Sequence, residues 1–304
     1  MLSQLVTAYL EVRRALGFDL HEAERLLRHY VEFATARGDT HILAKTAIDW
    51  SAAAGSAGQR YDRLRRVFLF ARYARAEDPR HEVPPGKVFP RVPRQVMPYI
   101  YTQDEGRRLV AEAGRLGPAG TLRPHSTCAF FALLFATGLR VSEAMALRLD
   151  DVTSDGLVIR KTKFRKTRLV PLHETARAGL ERYLELRRPA GTPPMHLFLN
   201  YRGEALGYHA VADAFMQARR AAGLERPAGQ PQPRIHDIRH TFAVRALEAC
   251  PDGRDRIAQH MLALTTYLGH SNVTNTYWYL QATPHLMHHI ADACEAAFGK
   301  GARP

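Results

Sequence analysis

A run of prolines does most to constrain what this chain can fold into. Pro84, Pro85, Pro90, Pro93 and Pro98 all fall between positions 84 and 98. Each removes a backbone donor and disfavours helix in the residue before it, so neither a helix nor a central strand can cross the stretch. The segment is read as an extended, semi-rigid linker over 84–98, with Lys87, Arg91 and Arg94 supplying positive charge. The 304 residues therefore divide into two folding units, 1–83 and 99–304, each within or near the usual size of a domain, ~100–200 residues.

The first unit carries helical spacing throughout. Leu5, Tyr9, Val12 and Leu16 recur before Gly17, and Ala23, Leu26, Leu27, Tyr30, Val31 and Phe33 recur before Gly38. A third helix is expected over 42–53. A fourth begins near Gln59 with Tyr61, Leu64, Phe68 and Ala71 facing inward. This last helix also bears Arg60, Arg63, Arg65, Arg66, Arg72 and Arg75. Those arginines either line a nucleic-acid backbone or form a solvated face.

Beyond the linker the period changes. Helices are expected over 103–115, with Thr102 as N-cap, over 125–137 and over 141–146. Two short β-prone runs follow, 156–163 and 167–172, around a basic turn, and they predict a hairpin. Residues 196–200 are a candidate third strand. Helices return at 208–222, 237–249 and 256–268, with a last stretch from Pro284. The fold class expected is mainly α with a small antiparallel β-sheet, an α+β arrangement of a helical N-terminal domain and a mixed second domain.

Charge narrows the partner. Lys plus Arg is 43 and Asp plus Glu is 30, a net +13, of which +3 lies in 1–90 and +10 in 91–304. Such a field attracts polyanions: nucleic acid first, then an acidic membrane surface, then an acidic protein. The N-terminus lacks a basic segment, apolar run and cleavage site, and the most apolar stretch, 128–136, is far short of the ~20 residues of a membrane span. A soluble, cytoplasmic, nucleoid-associated protein without membrane partners is expected. Cys128, Cys250 and Cys294 lie far apart with no CxxC pair, so neither a zinc site nor a disulfide framework is indicated.

No Walker loop, GxGxxG, HExxH or GxSxG occurs. Asp150, Asp151 and Asp155 form an acidic cluster that reads as a loop cap far more readily than as a metal site. What remains is a series of basic segments in order. Gly138-Leu139-Arg140-Val141-Ser142-Glu143 sets an arginine between a glycine turn and a helix. His236-Asp237-Ile238-Arg239-His240 sets a histidine and an arginine one helical turn apart. Leu268-Gly269-His270 follows a helix, and Tyr277-Trp278-Tyr279 comes next.

Taken together these segments resemble the tyrosine recombinases, or phage integrase family, across essentially the whole chain. The RVSE, basic-hairpin, HxxRH and LGH…Y boxes stand in family order. The Tyr-Leu-Gly-His and Tyr-Trp-Tyr-Leu boxes look like those of integrases carried by transposons and genomic islands. The resemblance implies a helical DNA-clamping domain, a catalytic domain, and six catalytic residues: Arg140, Lys163, His236, Arg239, His270 and the nucleophile Tyr279. Counting back from the strand at 168–172 selects Lys163, with Lys161 on the same strand face and Lys166 across the turn. Distance from His270 selects Tyr279 over Tyr277. Candidate DNA contacts are Arg60, Arg63, Arg65, Arg66, Lys87, Arg91, Arg94, Lys161, Arg165 and Lys166. Residues 248–264 run several residues longer than the family pattern and are expected to hold an inserted surface loop.

The residue types suit phosphodiester transfer to a phenol. Planar guanidinium forks bind phosphate oxygens bidentately and stay charged, a role for Arg140 and Arg239. A tyrosine with an ordinary pKa near ~10 needs a base, here His236. Lys163 would protonate the 5′-oxygen and His270 would bond the phosphate. A covalent 3′-phosphotyrosine conserves the bond energy, so no metal, ATP or other cofactor is needed. The partners implied are double-stranded DNA bearing recombination sites and further copies in a synaptic tetramer, with related recombinases or DNA-bending factors as additional candidates. A stripe of Leu286, Ile290, Cys294 and Phe298 packs either on a neighbouring copy or on its own domain. The alternatives are a type IB topoisomerase or telomere resolvase, and a non-catalytic DNA-binding accessory protein.

Overall fold

The computed structural model describes residues 2–18, 20–91, 97–160, 167–187, 195–249 and 254–269. The chain divides into two compact units, Met1–Gln95 and Val96–Pro304. No described helix is long and apolar enough to cross a membrane.

The first unit packs α1 (Leu2–Ala15), α2 (His21–Ala36), α3 (Ala44–Ala52) and α4 (Ala57–Glu77) around one core. Trp50, Tyr30, Phe70, Leu10 and Leu27 are its largest fully buried side chains. The α2 stripe is buried as its spacing predicts, with Phe33 at the margin. In α1 the buried face is Leu2, Val6, Tyr9 and Leu10, whereas Val12 and Leu16 face solvent, 48% and 69% exposed. The α4 face is also rotated from the one expected, burying Leu64, Val67, Phe70, Ala71 and Ala74. Both differences have one cause: a helix with apolar residues on several sides turns the side that neighbouring helices cover.

The expected linker is anchored where it leaves this unit. Pro84 is buried, Val83 and Phe89 pack against the core, and the Glu82 amide donates to the Ile42 carbonyl at 2.8 Å.

The second unit begins on Tyr99 and Tyr101, whose rings meet edge to face at 5.0 Å. Thr102 opens α5 (Gln103–Ala113) with a capping box in which its hydroxyl accepts from the Glu105 amide and Glu105 accepts from the Thr102 amide. Helices α6 (Arg123–Thr137) and α7 (Val141–Ala146) follow. The sheet is three-stranded and antiparallel, in the order β1 (Val152–Thr153), β2 (Gly156–Ile159), β3 (Arg168–Val170). Leu157 pairs with Val170 and Ile159 with Arg168. Leu157, Ile159 and Val170 are buried while Leu169 is exposed, the alternation of a half-buried sheet.

Residues 196–200 do not supply the third strand, contrary to expectation. They make isolated bridges, Arg148 with His196 and Leu199 with Ala205, and fill the core with Leu197, Phe198 and Leu199. The third strand is β1, too short for its alternation to be legible. A helix that the sequence reading left out, α8 (Glu174–Arg187), buries Leu180, Tyr183 and Arg187; Tyr183 stacks on Phe198 with centroids 5.4 Å apart. Then come α9 (Tyr208–Ala221), α10 (Asp237–Glu248) and α11 (Arg254–Leu268). The helix expected over 256–268 is α11, which begins two residues earlier at Arg254; the inserted loop expected before it falls largely on residues 250–253, outside the described residues.

Candidate active site

The site is built where α6, α7, α10 and the end of α11 converge. Helix α6 stops at Gly138, whose φ of +61° is the left-handed cap that glycine adopts without penalty. A Cβ there would lie 2.5 Å from the Phe242 ring. Gly138→Ala should therefore destabilise the second unit by about 2–4 kcal/mol, the sum of left-handed strain and overpacking. Calorimetry should place its melting transition about 4–16 °C lower; an unchanged transition would contradict the packing described.

Two residues on, Arg140 is the N-cap of α7, in extended backbone. Glu143, one turn into α7, accepts from the Arg140 amide at 3.0 Å and from the Arg140 guanidinium at 2.7 Å. The same carboxylate takes a fork of two bonds from Arg168 on β3, at 3.0 and 2.8 Å. Burial alone would raise the Glu143 pKa, but the Arg168 bonds and the Arg140 amide outweigh it and hold the carboxyl at about 2. A buried anion thus lies between two cations, ionised at any working pH.

Helix α10 brings the next pair. His236 is its N-cap and Arg239 lies in its first turn. Arg239 is 3% exposed and donates to the Gly138 carbonyl and the Leu268 carbonyl, both at 2.7 Å. His236 is exposed on one side and packs its ring edge to face on His240, with centroids 4.8 Å apart. Desolvation first, then the positive charges of Arg239, Arg234 and Arg140, lower its pKa, against an opposing contribution from Asp237. The imidazole is therefore biased toward the neutral form that accepts a proton. The start of α10 is held by Asp237, which is 1% exposed and accepts from the Arg234 amide at 2.8 Å, and by Thr241, whose hydroxyl accepts from the Tyr101 amide at 3.0 Å.

The end of α11 joins these parts. Its last carbonyls take one arginine each: Tyr267 accepts from Arg168 Nε at 2.8 Å, Leu268 from Arg239 at 2.7 Å, and Gly269 from Arg140 at 3.3 Å. Three cations meet three successive carbonyls at the negative end of a helix dipole. Of the expected catalytic residues, Arg140, His236 and Arg239 are placed here. Lys163, His270 and Tyr279 lie outside the described residues, as do the candidate DNA contacts Arg94, Lys161, Arg165 and Lys166 and the stripe 286–298.

The sequence alone does not single out Arg168 as a site residue, and it gives Glu143 only as the last residue of the RVSE box. The basic start of the 168–172 strand was the one available signal. The acidic cluster does cap a loop: Asp151 accepts from the Arg148 amide at 2.9 Å and pairs with Arg160. In the first unit, Arg60 donates to the Ala54 carbonyl, and Arg63 lies over the Trp50 ring at 4.9 Å and donates to the Trp50 carbonyl. Arg66 is half-buried, while Arg65, Lys87 and Arg91 are exposed.

Residues 100–285 match the model of the phage integrase family. A putative integrase/recombinase, y4rB, of Sinorhizobium fredii is 37% identical over 294 residues, covering 93% of this chain and 94% of the relative. Among solved structures, a lambda integrase tetramer bound to a Holliday junction superposes with a TM-score of 0.61 at 20% identity, over 90% of this chain and 78% of that one. The Tn1549 transposon integrase in complex with a circular intermediate DNA gives 0.63 at 18% identity, over 90% and 94%. Those two likenesses concern the fold. Together with the family match and the full-length similarity to y4rB, they lead to one conclusion: this chain belongs to the phage integrase family, the tyrosine-type site-specific DNA recombinases.

Proposed function

We propose that this protein cuts and rejoins DNA through a covalent 3′-phosphotyrosine on Tyr279, as the integrase or transposase of a mobile element. The observation that carries the reading is the seating of Arg140 and Arg239 on neighbouring carbonyls of one helix end, with His236 one turn before Arg239. Two guanidinium groups so fixed suit the non-bridging oxygens of a single phosphate.

In the forward step His236 takes the phenolic proton of Tyr279 as the oxygen bonds to phosphorus. The bond from phosphorus to the 5′-oxygen breaks, and Lys163 protonates that oxygen. His270 donates to the phosphate as charge builds. Rejoining is the same step reversed, with a 5′-hydroxyl from the partner strand attacking, so no external energy source enters. The lambda integrase tetramer on a Holliday junction supports a four-copy assembly on two DNA sites.

A nicked duplex carrying an end of the element that encodes the chain tests this. Cleavage beside the nick releases a short fragment and traps the protein on DNA. A denaturation-resistant adduct is expected in the presence of EDTA; a strict need for magnesium would contradict the mechanism.

A further inference from the structure

Arg168 has no role in the mechanism above, yet it touches several parts of the site's framework. Its side chain is 12% exposed. Its two terminal nitrogens span both oxygens of Glu143, and its Nε reaches the Tyr267 carbonyl at 2.8 Å. Through Glu143 it bears on the amide and guanidinium of Arg140. It also lies against Gly269, where a Cβ would come within 2.9 Å of its guanidinium. Its backbone belongs to β3, paired with β2 through Ile159. One guanidinium therefore bridges the sheet, the helix that presents Arg140, and the end of α11.

We infer that Arg168 is a positioning residue, a forked strut that sets the Glu143 carboxylate and the α11 terminus so that Arg140 and Arg239 converge on one phosphate. Three directional bonds from one rigid plane fix relative orientation in a way that a point charge cannot. A lysine can occupy the space and keep the charge, but it cannot meet both oxygens of Glu143 and the Tyr267 carbonyl with the same geometry. The role rests on the cleavage chemistry proposed above, and small displacements of a phosphate clamp are costly: about 1 Å of misplacement costs ~10²-fold in rate.

The test uses the full chain on the nicked substrate, measuring the single-turnover rate constant for adduct formation and the protein concentration giving half-maximal rate. Arg168→Met should cut the rate constant about 10- to 100-fold and shift the half-maximal concentration less than about threefold. Arg168→Lys should fall between that variant and wild type, and it stands in if the methionine variant does not fold. In a Glu143→Gln background, Arg168→Met should cost fewer fold than it does alone, because the two residues share the Glu143 contact and only the Tyr267 contact remains to be lost. A wild-type rate constant in either Arg168 variant overturns the inference, as does a loss confined to the adduct's final amplitude, or independent effects in the double variant. If wild type forms no adduct, the cleavage reading fails and this role with it; if wild type does and Arg168→Met matches it, only this role fails.

Discussion

Tyr279→Phe is expected to bind DNA as well as wild type does and to give no covalent adduct. The substitution removes one oxygen, the atom that would bond to phosphorus, and keeps the ring. Loss of a nucleophile from a set acting as a unit costs on the order of 10⁴-fold or more, which places the variant at background on a nicked substrate. Gel retardation reports binding, and denaturing electrophoresis reports the adduct. Tyr277→Phe is the companion variant, expected to retain the adduct because distance from His270 along the chain selects Tyr279. An adduct from Tyr279→Phe, or its loss from Tyr277→Phe alone, would move the nucleophile.

Arg239→Lys should reduce single-turnover cleavage by about 10³-fold while leaving DNA affinity within a few-fold of wild type. The scale follows from removal of a preorganised donor at a developing oxyanion, about 10²–10³-fold per contact. A lysine holds the charge without the fork that seats on the Gly138 and Leu268 carbonyls. Arg239→Ala adds a cost in stability, because two buried carbonyls lose their donor at about 1–3 kcal/mol each. A thermal melt would show that cost in the alanine variant and much less of it in the lysine variant. Cleavage by Arg239→Lys close to the wild-type rate would remove Arg239 from the phosphate clamp.

The legible parts of this chain are those governed by neighbours in sequence. Thr102 and Glu105 mark the start of α5 because a capping box closes within three residues, and Gly138 marks the end of α6 because the turn demands a left-handed residue. His236 and Arg239 share a side of the chain because one helical turn separates them. The illegible parts depend on distant partners. The outward turn of Val12 and Leu16 depends on which side of α1 the bundle covers. The third strand is β1 rather than 196–200, because the backbone of Leu197 is taken by the Leu147 carbonyl at 2.7 Å instead.

The candidate site divides along the same line. The amino-acid sequence by itself determined the inventory and order of reactive groups, the Arg140, HxxR and LGH…Y boxes, and hence the family, because those are residue types at near-constant spacing. Only the tertiary structure decided how the arginines are held. Arg168 meets Glu143 across 25 positions and Tyr267 across 99, and Arg239 meets Gly138 across 101. Such contacts leave no periodic trace, since a guanidinium is satisfied by whichever carbonyl the packing of α6, α7, α10 and α11 delivers. Chemistry is written in residue identity, and convergence comes from packing that brings distant donors and acceptors together.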